Sequence, residues 1–220
     1  MDPFYNDSTM QIFPMFSKQR ERFDNNILKM KRRISIFHFI LIGVGVANGG
    51  KDRNMRIRPY IESRDYRYLE KWIGDSRIHA LWCANLFPYP LMREQLRNVL
   101  KKNAEEREEC AYIVTEDDGE PVGFFCYSVN TENNAGFLKF IIINSEKRGM
   151  GYGQRMLKLA LRYAFEITGA NMVHLNVFKE NKSAHRCYEK VGFYEKHVEE
   201  SVFSYQNEKW SRCSMEIRKD

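Results

Sequence analysis

The sequence has few cysteines, and their spacing excludes two classes of protein. Five cysteines are spread over the 220 residues and form no C-x-x-C pair. An odd number of widely separated cysteines predicts neither a disulfide framework nor a zinc site. We therefore expect no bound metal and a reducing compartment, the cytoplasm.

A long hydrophobic run is also missing. A membrane-spanning helix needs about 20 mostly apolar residues, whereas the main apolar stretch, Ile34 to Ala47, is shorter and contains His38. Basic residues precede this stretch as they do in a signal peptide, but the segment ahead of them is too long for one. We expect no stable membrane association, and a tether formed by Ile34 to Ala47 is the alternative.

Strong charge of one sign is confined to the first quarter of the chain. The net charge is +6, and residues 1–54 hold nine Lys and Arg against five Asp and Glu. The rest of the chain holds 26 against 24. A nearly neutral domain is a poor match for DNA or RNA, so no nucleic-acid partner is expected.

The same boundary divides the chain by composition. Residues 1–54 are polar and irregular apart from their short apolar stretch, whereas the chain from Met55 onward alternates apolar and polar residues regularly. We predict that residues 1–54 are an N-terminal extension, disordered or upstream of the functional start. Residues 55–220 have the length of one ordinary domain.

A glycine-rich turn follows an apolar run and precedes an amphipathic segment, an order that predicts strand, turn and helix. The turn, Arg148 to Gly153, would present free N–H groups and the positive end of a helix dipole to a phosphate. It lacks the Gly-Lys-Ser/Thr of a Walker loop, because Gly153-Gln154-Arg155 stands there. It also lacks the G-x-G-x-x-G spacing and the later acidic residue of a dinucleotide site, since residues 168–171 are Thr-Gly-Ala-Asn.

Two spaced motifs together resemble one known family. The pattern R-x-x-G-x-G from Arg148 to Gly153 is followed by a strand and then by N-x-x-A-x-x-x-Y-x-x-x-G-F from Asn181 to Phe193. This combination resembles the cofactor domain of the GNAT superfamily of N-acetyltransferases. The resemblance runs from about Met55 to the end and is specific only between Phe137 and Phe193. It implies acetyl-CoA as the co-substrate and no metal.

The order of predicted elements agrees with the fold that this resemblance implies. Short alternating strands, two early helices, a meander of three strands and two later helices can be read from the apolar periodicity. We predict an α+β protein with a mixed, mostly antiparallel sheet of six to seven strands flanked by about four helices.

The resemblance also assigns the residues that would bind the cofactor. Its fourth strand carries a bulge and splays from the fifth, so backbone groups near Ile141 and Ile143 would pair with the pantetheine arm, although both side chains also suit a core. The loop would wrap the pyrophosphate through Arg148, Gly149, Met150, Gly151, Tyr152 and Gly153. Asn176 is a further candidate, and Asn181 would contact the cofactor while also capping the next helix.

Tyr188 is the predicted catalytic residue. The matching tyrosine in many relatives protonates the departing thiolate, and a phenol is a plausible acid for that step. The alternative is a half-buried packing aromatic. The general base is not identified, because the glutamate that some relatives carry on the fourth strand is missing here. A water chain or a carboxylate such as Glu62, Glu70 or Asp75 remains possible in that role.

These observations together predict an N-acetyltransferase. The acceptor would be a primary amine, on a small molecule or at a protein N-terminus, that attacks acetyl-CoA directly in a ternary complex. The aromatic segment Trp72 to Pro90 could form a wall of the acceptor pocket. This segment, together with Phe203 to Trp210, resembles the branch that contains the ribosomal-protein N-terminal acetyltransferases. A homodimer is left open, and the alternative function is a noncatalytic acyl-CoA-binding module.

Overall fold

The structure is a computed structural model, and it describes residues 55–219. The prediction for the extension at residues 1–54 falls outside this range. The strands are β1 (Arg56–Pro59), β2 (Cys110–Thr115), β3 (Pro121–Asn130), β4 (Ala135–Ile143), β5 (Met172–Phe178), β6 (Tyr194–Tyr205) and β7 (Glu208–Arg218). The helices are α1 (Glu62–Trp72), α2 (Ser76–Cys83), α3 (Arg93–Arg107), α4 (Tyr152–Arg162) and α5 (Lys182–Val191).

The strands form one seven-stranded sheet in the order β1-β2-β3-β4-β5-β7-β6. Only β4 and β5 pair in parallel; the other neighbours are antiparallel. The predicted mixed, mostly antiparallel α+β fold is therefore confirmed. The described residues contain five α-helices instead of about four, and none of these helices is long and apolar enough to cross a membrane.

Helices cover both faces of the sheet. Residues of α1, α2 and α3 pack with Phe124 and Cys126 of β3 on one face. On the other face Tyr112 of β2 donates or accepts a 3.0 Å hydrogen bond with Tyr163, just after α4. Because β3 is buried on both faces, it reads in the sequence as a nearly continuous apolar run.

Helix α2 is the element that the sequence did not predict. Asp75 caps it, accepting a 2.7 Å hydrogen bond from the N–H of Ile78. The aromatic residues around it had suggested only a possible wall of the acceptor pocket. Helix α1 begins at Glu62 without a hydrogen bond to an N-cap side chain; instead Asp65 accepts a 2.8 Å hydrogen bond from the N–H of Ile61.

Strands β4 and β5 separate halfway along their length. Their parallel pairing runs from Ala135 opposite Met172 to Leu138 opposite Leu175 and then stops. Beyond that point β4 bends at Phe140, whose φ is 50°, and its register with β3 shifts there. A β-bulge with this local conformation re-aims the strand, so a wedge opens between the two strand ends.

Candidate active site

A cavity of about 570 Å³ occupies the wedge between β4 and β5. One wall is the free part of β4, from Leu138 to Ile143, and another is formed by Asn176 and Val177 of β5. The lining is completed by α2 (Ile78, Leu81, Trp82), the glycine loop (Arg148, Gly149, Gly151), α4 (Gly153, Gln154, Met156, Leu157) and the α5 region (Asn181, Ser183, Ala184, Arg186, Cys187, Tyr188, Lys190). The cavity therefore meets the N-terminal ends of two helices.

The glycine loop enters α4 through left-handed backbone. Gly149 and Gly151 have φ values of 78° and 82°, and a Cβ atom added at either would meet nothing within 4 Å. Glycine is therefore required by the backbone conformation and leaves open space beside the loop. The first N–H groups of α4 have no partner within the helix, and Gly153 and Gln154 of its first turn line the cavity, an arrangement suited to a phosphate.

Gly153 has a different role, because it lets two helices approach closely. A Cβ atom there would lie 3.1 Å from Sγ of Cys187 on α5 and 3.8 Å from Ile143. A larger residue would require the Cys187 side chain to shift. The close packing of α4 against the middle of α5 is thus favoured by this glycine.

The side chain of Arg148 fixes the start of the loop. Its Nη2 donates a 3.0 Å hydrogen bond to the carbonyl of Trp72 at the end of α1, and its Nε donates a 3.3 Å bond to the carbonyl of Ile143. Partial desolvation lowers the pKa of the guanidinium. The side chain thereby ties the loop to β4 and to α1 while it also lines the cavity.

Met150 and Tyr152 do not line the cavity, unlike the other predicted loop residues. Met150 is 66% exposed. The hydroxyl of Tyr152 donates a 2.8 Å hydrogen bond to Glu116, a buried carboxylate that also pairs with Lys147. Glu116 therefore contacts residues at both ends of the loop and holds the loop in place. Its position in a hairpin turn of the sequence did not predict this role.

The exposed edge of β4 faces the cavity, and Ile141 and Ile143 both line it. The carbonyl of Phe140 accepts a 2.8 Å hydrogen bond from the indole N–H of Trp82. Their rings are also in contact, with centroids 5.3 Å apart. Trp82, which lies on α2, thus fixes the bulge of β4. The sequence had indicated only a possible pocket wall at this segment.

The two predicted asparagines lie on β5 and at the N-cap of α5. Oδ1 of Asn181 caps α5 by accepting a 3.3 Å hydrogen bond from the N–H of Ala184. Asn176 is exposed on β5, and its Oδ1 accepts a 2.8 Å bond from Ser214. Both line the cavity, and the side-chain amide N–H groups of both are not used in these bonds.

Tyr188 lies on α5 and lines the cavity although it is only 6% exposed. Among the described residues its hydroxyl has no hydrogen-bond partner, and its ring packs against Phe193. Burial raises the pKa of Tyr188 well above the ordinary value of a phenol. The group therefore keeps its proton at neutral and mildly alkaline pH and has a free hydroxyl to donate it.

The lining is cationic. It includes Lys139, Arg148, Arg186 and Lys190, and none of the lining residues in the described part of the chain is an Asp or a Glu. Lys139 is paired with the buried carboxylate of Glu109 at 2.5 Å. Arg148 contributes its charge while it bonds two backbone carbonyls. Arg186 and Lys190 add positive charge for an anionic ligand, which fits a cofactor that carries several phosphates.

None of the three carboxylates considered as a general base lines the cavity. Glu62 accepts hydrogen bonds of 2.6 and 2.7 Å from Arg97. Asp75 is engaged as the cap of α2, and Glu70 contacts the hydroxyl of Tyr66. Cys187 does line the cavity, but burial raises its pKa, so its thiol is not a ready nucleophile.

Comparison with known proteins agrees with this geometry. The model of the acetyltransferase (GNAT) family matches residues 66–193, more than half of the chain. The spermidine N(1)-acetyltransferase of Escherichia coli K12 is 30% identical over 141 residues, which cover 64% of this chain and 73% of the relative. The spermine/spermidine N(1)-acetyltransferase of Bacillus subtilis strain 168 is 28% identical over 98 residues, 40% of this chain and 64% of the relative.

A solved structure shares the fold. The spermidine N-acetyltransferase of Vibrio cholerae, in complex with CoA and spermine, superposes with a TM-score of 0.65 at 22% identity and covers 74% of this chain and 95% of its own. These relatives are named for polyamines, and the resemblance to the ribosomal-protein branch stays a prediction. The protein is an N-acetyltransferase with acetyl-CoA as co-substrate. The chain therefore belongs to the acetyltransferase (GNAT) family.

Proposed function

We propose that this chain acetylates the primary amine of a small molecule by direct attack of the amine on acetyl-CoA. The observation that carries the proposal is the separation of β4 from β5 directly in front of the glycine entry to α4. Residues 55–220 would form the catalytic domain, and the cytoplasm, which holds acetyl-CoA, would be its compartment.

The residues around the wedge fit an extended acyl-CoA. The unpaired edge of β4 near Ile141 and Ile143 would bind the pantetheine arm as an added strand, through backbone groups. The N–H groups of Gly149 to Gly153 would bind the pyrophosphate. Arg186 and Lys190 would add charge pairing to phosphate, and the side-chain amides of Asn176 and Asn181 would donate to polar groups of the arm.

Tyr188 would act as the general acid. Its protonated hydroxyl would donate to the departing sulfur of CoA while the amine attacks the carbonyl carbon of the thioester. The acetyl C–S bond breaks as the C–N bond forms, and the amine loses a proton to water at the cavity mouth. A proton from water then returns to the Tyr188 phenolate, which restores the acid. Positioned proton transfer of this kind contributes about 10²- to 10⁴-fold in rate.

The polyamines for which the relatives are named are the first acceptors to assay. Within residues 55–219 the cavity lining offers no carboxylate for a second positive charge, so a monoamine is an equally informative acceptor. Its apolar wall on the α2 side, formed by Ile78, Leu81 and Trp82, would pack against the carbon chain that carries the amine.

The test is turnover of the full-length protein with acetyl-CoA and a panel of acceptors. The panel contains spermidine, spermine, an alkyl monoamine of similar length and a peptide with a free N-terminus; CoA thiol and the acetylated product are both measured. We expect acetylation of at least one small amine and no acetylated protein when the amine is omitted. If only the peptide is acetylated, the acceptor is a protein N-terminus and not a small amine. A stable acetyl-enzyme would refute direct attack.

A further inference from the structure

Three possible metal ligands from three different elements meet outside the cavity. They are His185 of α5, Glu195 of β6 and Cys213 of β7, and their ligand atoms all lie within 4.8 Å of one another. None of them lines the cavity. Their positions in the sequence are far apart, which is why cysteine spacing alone predicted no metal site.

The sheet register explains why two of these side chains share one face. Glu195 lies opposite Met215, two residues from Cys213 on the same strand. Residues two apart on a strand point to the same side, so the carboxylate and the thiol face α5 together. Cys213 is fully buried and the His185 side chain is 14% exposed, whereas Glu195 is exposed and leaves one side of the cluster open to water.

The two ring nitrogens of His185 face two different carboxylates. Nε2 lies 2.7 Å from Oε1 of Glu195, and Nδ1 lies 3.6 Å from Oε1 of Glu189 on the next turn of α5. Without metal the shorter contact favours a proton on Nε2, donated to Glu195. A metal at Nε2 would displace that proton, and the ring proton would then lie on Nδ1, which faces Glu189. Glu195 also pairs with Lys179 at 3.0 Å, an exposed side chain that can turn into solvent.

We propose that His185, Glu195 and Cys213 form a zinc site, with Glu189 as the carboxylate that orients His185. Imidazole nitrogen, thiolate sulfur and carboxylate oxygen are the ligands of zinc, which takes four of them in a tetrahedron; calcium and magnesium prefer oxygen alone. The fourth position would be water. Acetyl transfer does not involve this ion, whose effect would be to fasten α5 to β6 and β7.

Zinc binding would be coupled to pH. Burial raises the pKa of Cys213 to about 11, with the Glu195 charge adding to the effect, so the thiol is neutral without metal. Coordination requires the thiolate and an unprotonated Nε2. Each zinc bound therefore releases the thiol proton.

The test uses the full-length protein stripped of metal with a chelator. Zinc binding is measured by calorimetry, and Co²⁺ is used as a coloured probe whose near-ultraviolet thiolate band reports a sulfur ligand. We expect one ion per chain, a thiolate band, and a melting temperature raised by several degrees with excess zinc. Absence of both the band and the shift would overturn the proposal.

Variants locate the site. Cys213→Ser should abolish the thiolate band, and the control Cys110→Ser, at an exposed cysteine away from the cluster, should keep it. Glu195→Gln removes an exposed ligand and keeps the size of the side chain, so it tests the site even if Cys213→Ser fails to fold; zinc affinity should fall at least tenfold. A thiolate band that survives in Cys213→Ser, or full affinity in Glu195→Gln, would refute the assignment.

Discussion

The indole N–H of Trp82 donates a 2.8 Å hydrogen bond to the carbonyl of Phe140, the residue at which β4 bends away from β5. One side chain from α2 thus holds the strand edge on which the acyl-CoA arm is expected to lie. A buried or half-buried carbonyl without its partner loses about 0.5 to 1.5 kcal/mol of stabilisation.

Trp82→Phe should therefore reduce both stability and cofactor affinity. The phenylalanine ring would still pack against Phe140, but the hydrogen bond to the carbonyl would be lost. We therefore expect the free energy of unfolding to fall by about 1 kcal/mol and the dissociation constant of acetyl-CoA to rise. Denaturant unfolding and calorimetry measure the two effects. Tyr89→Phe is the control, because it removes a 3.2 Å bond to the carbonyl of Gly74 away from the bulge. An equal loss of acetyl-CoA affinity in both variants would show that the hydrogen bond at the bulge does not contribute specifically to cofactor binding.

Tyr188→Phe should lower turnover far more than affinity. We expect kcat to fall by about 10²- to 10⁴-fold while the dissociation constant of acetyl-CoA changes little. The matched control is Tyr112→Phe, at another buried tyrosine that bonds Tyr163 on the other face of the sheet; it should cost stability and leave kcat unchanged. Unchanged kcat in Tyr188→Phe would reduce that residue to a packing role.

The pH dependence of wild-type turnover checks the same assignment. Since burial raises the pKa of Tyr188 above the usual phenol range, its acid form persists through pH 10 and is lost only above that. Ionisation of Tyr188 should therefore cause no fall in the rate at any pH below about 10. Tyr188→Phe identifies such a fall, because one caused by the phenol would be missing in the variant. Such a fall, lost in the variant, would mean that the phenol ionises far earlier than its burial allows.

Gly151→Ala and Gly119→Ala form a matched pair. Both glycines have positive φ, 82° and 87°, and a Cβ atom at either would meet nothing within 4 Å. Each variant should lose about 1 kcal/mol of stability from the left-handed backbone alone. Only Gly151→Ala should also weaken acetyl-CoA binding, because Gly119 lies in the turn between β2 and β3. Equal affinities in the two variants would remove the loop from the cofactor site.

The cations of α5 give a prediction that depends on salt. Arg186→Gln and Lys190→Gln should each weaken acetyl-CoA binding by about tenfold at low salt, as expected for a lost charge-assisted bond to phosphate, and by less at high salt. Lys182→Gln, on the same helix but outside the cavity lining, is the control. An equal loss in all three would indicate a general charge effect and no specific contact.

The sequence predicted the elements whose signals are local. The strand, glycine turn and helix around Arg148 to Gly153 were read correctly because glycine, apolar run and amphipathic stripe are neighbours in the chain. The cap at Asn181 followed from the same kind of local chemistry. The catalytic and cofactor roles assigned to these residues remain predictions.

Features that join distant segments were not predictable. Helix α2 depends on the cap from Asp75 and on packing of Trp82 against Phe140, and no local periodicity marked it. Glu116 meets Lys147 and Tyr152 only in the folded chain. The cluster of His185, Glu195 and Cys213 likewise exists only because three elements converge. Such contacts depend on tertiary structure and cannot be predicted from the spacing or the composition of residues in the sequence.

The most direct test of the account is the affinity of acetyl-CoA for three full-length proteins: wild type, Gly151→Glu and Gly119→Glu. A glutamate at Gly151 would fill the space beside the loop and repel phosphate, whereas one at Gly119 adds the same charge and backbone cost far from the cavity. We predict one acetyl-CoA bound per chain in wild type and in Gly119→Glu, and no measurable binding in a folded Gly151→Glu. Wild-type affinity in Gly151→Glu would contradict the placement of acetyl-CoA in the wedge between β4 and β5.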